Sequence, residues 1–200
     1  MTNVFDLLPE KFIIFDTEYT AWEGSQKRGW SGENEYMELV QIGALKVVKT
    51  SKTIKIVKKL NIYIKPKKNP ELSEYFTNLT GITQNTLDKK GITFNEAMKQ
   101  FYNFCKTKNN VKLPMFSYGN DYDVMKYNLK LNSINKKSRF YKWEKKFYDI
   151  RPIFDFYVDT SKYSSGTIYK AFDIDSKNAN VHNALWDCKS IFYSLKYIIS

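Results

Sequence analysis

The chain is poor in cysteine, proline, glycine and histidine, and several of these shortages remove a class of explanation. Two cysteines in 200 residues, Cys105 and Cys188, cannot build a disulfide framework. Neither has a C-x-x-C partner and each falls in a helical apolar pattern, so buried, reduced thiols in a cytosolic protein are expected. The five prolines and eight glycines are scattered. No Pro, Gly or Ser-rich linker divides the chain, and no internal repeat or low-complexity tract interrupts it. No apolar run is long enough for a membrane span, and the first ten residues lack the basic start and apolar stretch of a secretion signal, so neither is expected. With 42% hydrophobic and 16% aromatic residues the chain can bury a sizeable core, and one domain over residues 1–200 is expected.

Acid is also the scarcer charge. Lys and Arg number 32 against 21 Asp and Glu, a formal charge of +11. Such a field attracts phosphate backbones and makes binding salt-dependent. An AT-rich genome would also enrich lysine, so charge supports a polyanionic partner without establishing one. Two segments suit a nucleic-acid backbone: Lys65-Pro-Lys-Lys68, and the stretch from Lys136 to Lys146, where basic residues interleave with Phe140, Tyr141 and Trp143.

The few acids are placed informatively. Lys11-Phe-Ile-Ile-Phe-Asp16 reads as a buried central strand that ends in Asp16 and Glu18. Residues i and i+2 of a strand share a face, so these two carboxylates can converge on one hard cation. Near the end, Ala184, Leu185, Cys188, Ile191, Phe192, Leu195 and Ile199 recur at helical spacing, predicting a helix from His182 to about Ile198 with one buried face. His182, the only histidine, and Asp187 lie somewhat over one turn apart at its start, and small Ala184 suits a close approach of helix to sheet.

These residues resemble the DnaQ-like 3′-5′ exonucleases of the DEDD superfamily, in the branch whose last motif carries histidine. Phe15-Asp16-Thr17-Glu18 is similar to the first motif and His182 to Asp187 to the last. Glu38-Leu-Val-Gln-Ile-Gly-Ala44 and Leu79-Thr-Gly-Ile-Thr83 resemble the KapD-type and enhanced-RNAi-type branch. In the middle motif two aspartates compete. Apolar residues usually follow the family aspartate at three and four positions; Val124 and Met125 do so for Asp121, whereas Lys126 and Tyr127 follow Asp123. Asp121 is therefore chosen, and Asp123 is read as an acid favoured by a helix N-terminus.

The resemblance implies an α/β fold, ribonuclease H-like, with a mixed five-stranded sheet flanked by helices on both faces in a single domain. It implies two divalent ions, Mg2+ or Mn2+, about 3.5–4 Å apart, that hold the scissile phosphate, activate water and stabilise the leaving 3′ oxygen. Asp16 would bridge both ions, Glu18 and Asp187 would complete the first site, Asp121 would support the second, and His182 would act as general base. Tyr19, Phe76 and Leu79 are expected to contact the terminal nucleotide. The polar stretch Thr20–Glu35, with Trp22 and Trp30, is either a flap beside that nucleotide or a packed surface loop.

Strands are expected near 11–17, 38–49, 53–65 and 112–118, with a fifth in Lys146-Phe-Tyr-Asp-Ile150. Helices are expected near 71–79, 94–107, 121–132, 149–158, 166–173 and 182–198. The expected activity is metal-dependent 3′-5′ exonucleolysis of single-stranded RNA or DNA 3′ ends, RNA somewhat favoured, with no membrane association and no protein partner indicated. The alternatives are a catalytically silent nucleic-acid-binding module, or an exonuclease subunit of a proofreading or defence complex.

Overall fold

The computed structural model describes residues 4–176 and 179–200. Its five strands are β1 (Lys11–Tyr19), β2 (Leu39–Lys49), β3 (Ile54–Tyr63), β4 (Met115–Ser117) and β5 (Phe147–Asp149). The helices are α1 (Val4–Leu7), α2 (Glu74–Thr80), α3 (Gln84–Lys90), α4 (Phe94–Phe104), α5 (Asp121–Leu131), α6 (Arg151–Phe154) and α7 (Ala184–Ile198). The strands lie in the order β3-β2-β1-β4-β5, with β2 antiparallel to β1 and β3, and β4 parallel to β1 and β5. Among the described residues no helix is long and apolar enough to cross a membrane.

Alternation along β1 separates two cores. Ile13 and Phe15 join Ile42, Ala44 and the inner faces of α4 and α5 on one side. Phe12 and Ile14 join Leu45, Val47, Phe154 and the α7 residues Cys188, Ile191 and Leu195 on the other. Because side chains alternate with period two, Asp16 and Glu18 continue the Phe12–Ile14 row and face α7. Both cysteines are free and buried.

The α7 face is a close backbone contact rather than ordinary side-chain packing. A Cβ on Gly43 of β2 would lie 2.3 Å from the Ala184 carbonyl carbon and 2.4 Å from the Leu185 nitrogen. Gln41, two residues earlier, is fully buried and its Oε1 accepts the Ala184 N–H at 3.0 Å. The Cys188 thiol donates to the Gly43 carbonyl at 3.3 Å. The Gln-Ile-Gly string thus holds and caps the helix start. In the same motif, buried Glu38 accepts the backbone N–H groups of Lys67, Lys68 and Asn69 at 2.6–3.0 Å. That pins the turn of the basic Lys65–Lys68 segment.

Several expected boundaries differ. β5 falls inside the anticipated Lys146–Ile150, but α3 was not anticipated; Thr83, the last residue of the Leu79–Thr83 signature, is its N-cap and accepts from Thr86 N. The helix expected over 149–158 shrinks to four residues, with Pro152 in its first turn. That over 166–173 is a 3-10 turn at Ile168–Phe172. A 3-10 turn at Tyr141–Lys146 carries buried Trp143 into the α4 core. His182 does not belong to α7: Asn183 is the N-cap, and His182 precedes it with φ +64°, left-handed backbone.

Gly43→Ala forces the α7 backbone off the sheet, and overpacking of this kind costs about 1–3 kcal/mol. Urea unfolding should show that loss, while alanine at the exposed Lys52 of the β2–β3 turn should leave the midpoint unchanged.

Candidate active site

Five side chains from three parts of the chain meet at the C-terminal end of β1. Asp16 and Glu18 come from β1, Asp121 from the first turn of α5, and His182 and Asp187 from the entry to α7 and its first turn. All five line one open cavity of about 300 Å³. Its other walls include Tyr19, Ala21, Ser25, Gln26 and Trp30 from the segment after β1, and Tyr75, Phe76 and Leu79 from α2.

Each acid is held by a specific neighbour. Thr17 donates to Asp121 Oδ1 through its backbone N–H at 2.9 Å and its hydroxyl at 2.7 Å, tying α5 to β1. The Ser165 hydroxyl donates to Asp187 Oδ2 at 2.9 Å and also lowers Asp16 by hydrogen bonding. The indole N–H of Trp186 donates to the Gly166 carbonyl at 3.1 Å. A Cβ on Gly166 would meet Asp187 Oδ1 at 2.5 Å, so glycine leaves this carboxylate its space. A register shift between Glu18 and Tyr19 ends the regular pairing of β1 with β2 beside the site.

The two candidates for the middle aspartate separate cleanly. Asp121 is buried and adds to the charge felt by Asp16. Asp123 is exposed and ion-paired to Lys126 at 2.8 Å.

Electrostatically the site is unstable by itself. Burial, reinforced by Asp121, Asp187 and Glu18, raises Asp16 well above the usual carboxylate range. Burial, with Asp187 and Asp121, does the same to Glu18. Asp121 rises to about 6 through burial despite the Thr17 hydrogen bonds, and Asp187 to about 7 through burial despite Ser165. The Tyr19 phenol is pushed up to about 12 by burial, with Asp121, Glu18 and Asp16 adding to it. Burial lowers His182, keeping its imidazole neutral near pH 7.

The donor set fits a divalent cation. Asp187 Oδ1 is buried without a hydrogen-bond partner among protein atoms, a costly state for a carboxylate oxygen. Ligand atoms of Glu18, His182 and Asp187 lie within 4.8 Å of one another. The histidine nitrogen in this group was not among the anticipated metal ligands, which were carboxylates only. Asp16 and Asp121 lie in the same cavity; Asp121 adds to the repulsion at both Glu18 and Asp187, and Asp16 feels that of all three.

The three anticipated nucleotide contacts, Tyr19, Phe76 and Leu79, all line the cavity, although Phe76 is only 1% exposed and belongs mainly to a small core with Ala21, Val40, Ile82 and Leu87. Its neighbour Tyr75, which was not anticipated, is 41% exposed and lines the cavity as well. Ser165 and Gly166 carried no sequence signal; only the fold brings them against Asp187. The Thr20–Glu35 segment is packed and also walls the cavity. Trp30 donates from Nε1 to the Thr20 carbonyl at 2.9 Å and lies 5.3 Å from the Tyr19 ring. Arg28 clasps Glu35 through two hydrogen bonds.

The profile of the exonuclease family (RNase_T) matches residues 13–195, and the chain belongs to that family. It is 34% identical over 102 residues to the 3′-5′ exonuclease eri1 of Schizosaccharomyces pombe, covering 51% of this chain and 31% of that protein. It is 27% identical over 123 residues to the probable 3′-5′ exonuclease KapD of Bacillus subtilis, covering 61% and 54%. The chain thus spans about a third to a half of these relatives. Among solved structures, the nuclease domain of 3′hExo, a DEDDh family member bound to rAMP, superposes with a TM-score of 0.75 at 21% identity, over 94% of this chain and 91% of that one. The fold is the anticipated ribonuclease H-like one.

A pH dependence follows from the four acids. Asp121 and Asp187 carry folded pKa values of about 6 and about 7 against an ordinary 3.8. From about pH 4 to about pH 7 the folded state therefore keeps protons that the unfolded chain has lost, and stability falls as pH rises. In EDTA, the wild-type melting temperature should decline across this window more steeply than that of Asp187→Asn, and Mn2+ should restore more at pH 7 than at pH 5. Parallel profiles for the two proteins would contradict the charge assignment.

Proposed function

We propose that this member of the exonuclease family hydrolyses single-stranded nucleic acid from its 3′ end, releasing nucleoside 5′-monophosphates, with RNA favoured over DNA. The chain acts as one domain over residues 1–200, in the cytosol, where its two thiols stay reduced. The observation that supports this most is the convergence, in one open cavity, of four buried carboxylates with raised pKa values and a neutral histidine. A silent binding module has no use for so costly a cluster.

Asp16, Glu18, Asp121 and Asp187 would hold two divalent ions, Mg2+ or Mn2+, and the unpartnered Asp187 Oδ1 is a ready donor. When bound, the ions neutralise the carboxylates, acidify the attacking water and offset charge on the leaving oxygen. His182 takes the proton from that water as its oxygen attacks phosphorus. The phosphorus–O3′ bond breaks, the leaving oxygen takes a proton from solvent water, and the resulting 3′ hydroxyl remains as the new strand end. The left-handed backbone at His182, worth on the order of 1–3 kcal/mol of strain, turns this imidazole toward the cavity. Tyr19 and Leu79 receive the terminal nucleotide, with exposed Tyr75 beside it and Phe76 forming the wall behind. The preference for RNA draws on the likeness to 3′hExo, whose structure contains rAMP.

His182 has two competing uses, because its nitrogen also lies within ligand reach of Glu18 and Asp187. As general base, its loss in His182→Ala should lower kcat by about 10²–10⁴-fold while Mn2+ affinity measured by calorimetry stays unchanged. As a ligand, its loss would weaken Mn2+ binding as well.

The reading is tested with 5′-labelled RNA and DNA of matched sequence in Mg2+, Mn2+ or EDTA. A ladder shortening from the 3′ end is expected with either metal, absent in EDTA and in Asp16→Asn. Asp121→Asn should be inactive and Asp123→Asn active. Binding without cleavage under every ion would leave the silent module as the better description.

A further inference from the structure

At the end of the sheet away from the carboxylates, six cations gather without one ion pair among the described residues. Lys11 opens β1, Lys46 of β2 pairs in register with Ile13 of β1, and Lys58 of β3 pairs with Lys46. Lys46 Nζ donates to the Lys106 carbonyl at 2.7 Å and lies 5.2 Å from the Phe104 ring centre. Lys106 and Arg139 both sit over the Tyr102 ring, 3.8 and 4.5 Å from its centre. Trp143 stacks on that ring at 4.4 Å with planes 6° apart, which fixes it in place. Lys112, bridged to Lys106 through the backbone, donates from Nζ to the Lys142 carbonyl at 3.2 Å and lies 5.9 Å from the Trp143 ring.

Carbonyl oxygens and ring faces orient these side chains, but neither carries a compensating full charge. The nearest ion-paired acid of the 3-10 turn, Glu144, is directed to Lys126 instead. The Lys46 ammonium is lowered, first by burial and further by Lys58 and Lys11, with Cys105 acting the other way. Such a field releases condensed counterions from a polyanion that binds to it. Two cations held on one aromatic ring set two donors on one surface, and stacked rings beside them suit a nucleic acid better than an acidic protein.

We propose that this surface is a second docking site for the phosphodiester backbone of nucleic acid, engaged by the part of the strand outside the catalytic cavity. It rests on the nucleolytic reading for the kind of polyanion, though binding itself does not require cleavage. Lys11 and Asp16 are five residues apart on β1, which sets them roughly 17 Å apart along the strand at ~3.3 Å per residue. At ~3.4 Å per phosphate for a stacked strand, that is about five phosphates. Short strands occupy the cavity alone and long ones reach both sites.

The test measures binding of labelled RNA of about four and about twenty nucleotides, in EDTA over a salt series, for wild type, Lys106→Glu/Arg139→Glu and the milder Lys106→Gln/Arg139→Gln. Melting temperatures monitor folding. For long RNA, each double variant should weaken binding by about tenfold or more and reduce the slope of log K against log salt by ~1.4, two contacts at ~0.7 each. Binding and cleavage of short RNA should match wild type. Unchanged affinity and slope on long RNA would overturn the docking site, as would equal losses on short and long RNA. So would a variant that loses binding to polyglutamate but not to RNA, which would point to an acidic protein. If the slope changes but no strand is ever cut, the docking site stands and the nucleolytic reading fails. If short strands are cut normally and the slope is unchanged, only the docking site fails.

Discussion

Mutual repulsion among four buried carboxylates is the constraint around which the rest of the molecule is organised. Burial raises every one of them, and like charge within the cluster adds to the rise at Asp16, Glu18 and Asp187, so the fold works against its own electrostatics to keep them close. What opposes the repulsion is local and specific. Thr17 spends its N–H and hydroxyl on Asp121, and the Ser165 hydroxyl is spent on Asp187. Gly43 and Gln41 fix α7 against β2, and with it the position of Asp187. Removal of any of these contacts would let one acid drift, and the cluster is useful only when all are within reach of the same ions.

The wider surface answers the cavity with the opposite sign. A chain of formal charge +11 that places four of its 21 acids in one concave site leaves its exterior more basic than the total suggests. The field draws a polyanion inward, while the carboxylates would repel its phosphates until cations neutralise them. The Thr20–Glu35 segment belongs to this arrangement: Trp30 and Ser25 are packed into the body, yet both also wall the cavity.

The strands and the acid motif were legible because they depend on local pattern. β1 is apolar because both faces are covered, and its terminal acids stand out against that run. Asp121 could be chosen over Asp123 because helical phase puts Val124 and Met125 into the core. Elsewhere tertiary contact overrode local preference. Apolar residues at 149–158 and 166–173 suggested helices, but Pro152 and the turns gripping Asp187 shorten both. His182 lies just before the helix rather than on it, since Asn183 takes the cap. The exposed ring on α2 is Tyr75, beside Phe76, whose ring is covered by the small core although it also lines the cavity. Ser165 and Gly166 were invisible in sequence, because a serine and a glycine signify nothing until a fold sets them against a carboxylate.

The central claim is that the clustered acids form a divalent-cation site whose carboxylates are partly protonated before binding. Calorimetric titration of Mn2+ near pH 7, in two buffers of different ionisation enthalpy, measures both affinity and proton exchange. Ion binding should displace protons from the cluster, giving net proton release that is smaller in Asp187→Asn. Saturable binding with no proton release, or no binding at all, would contradict it.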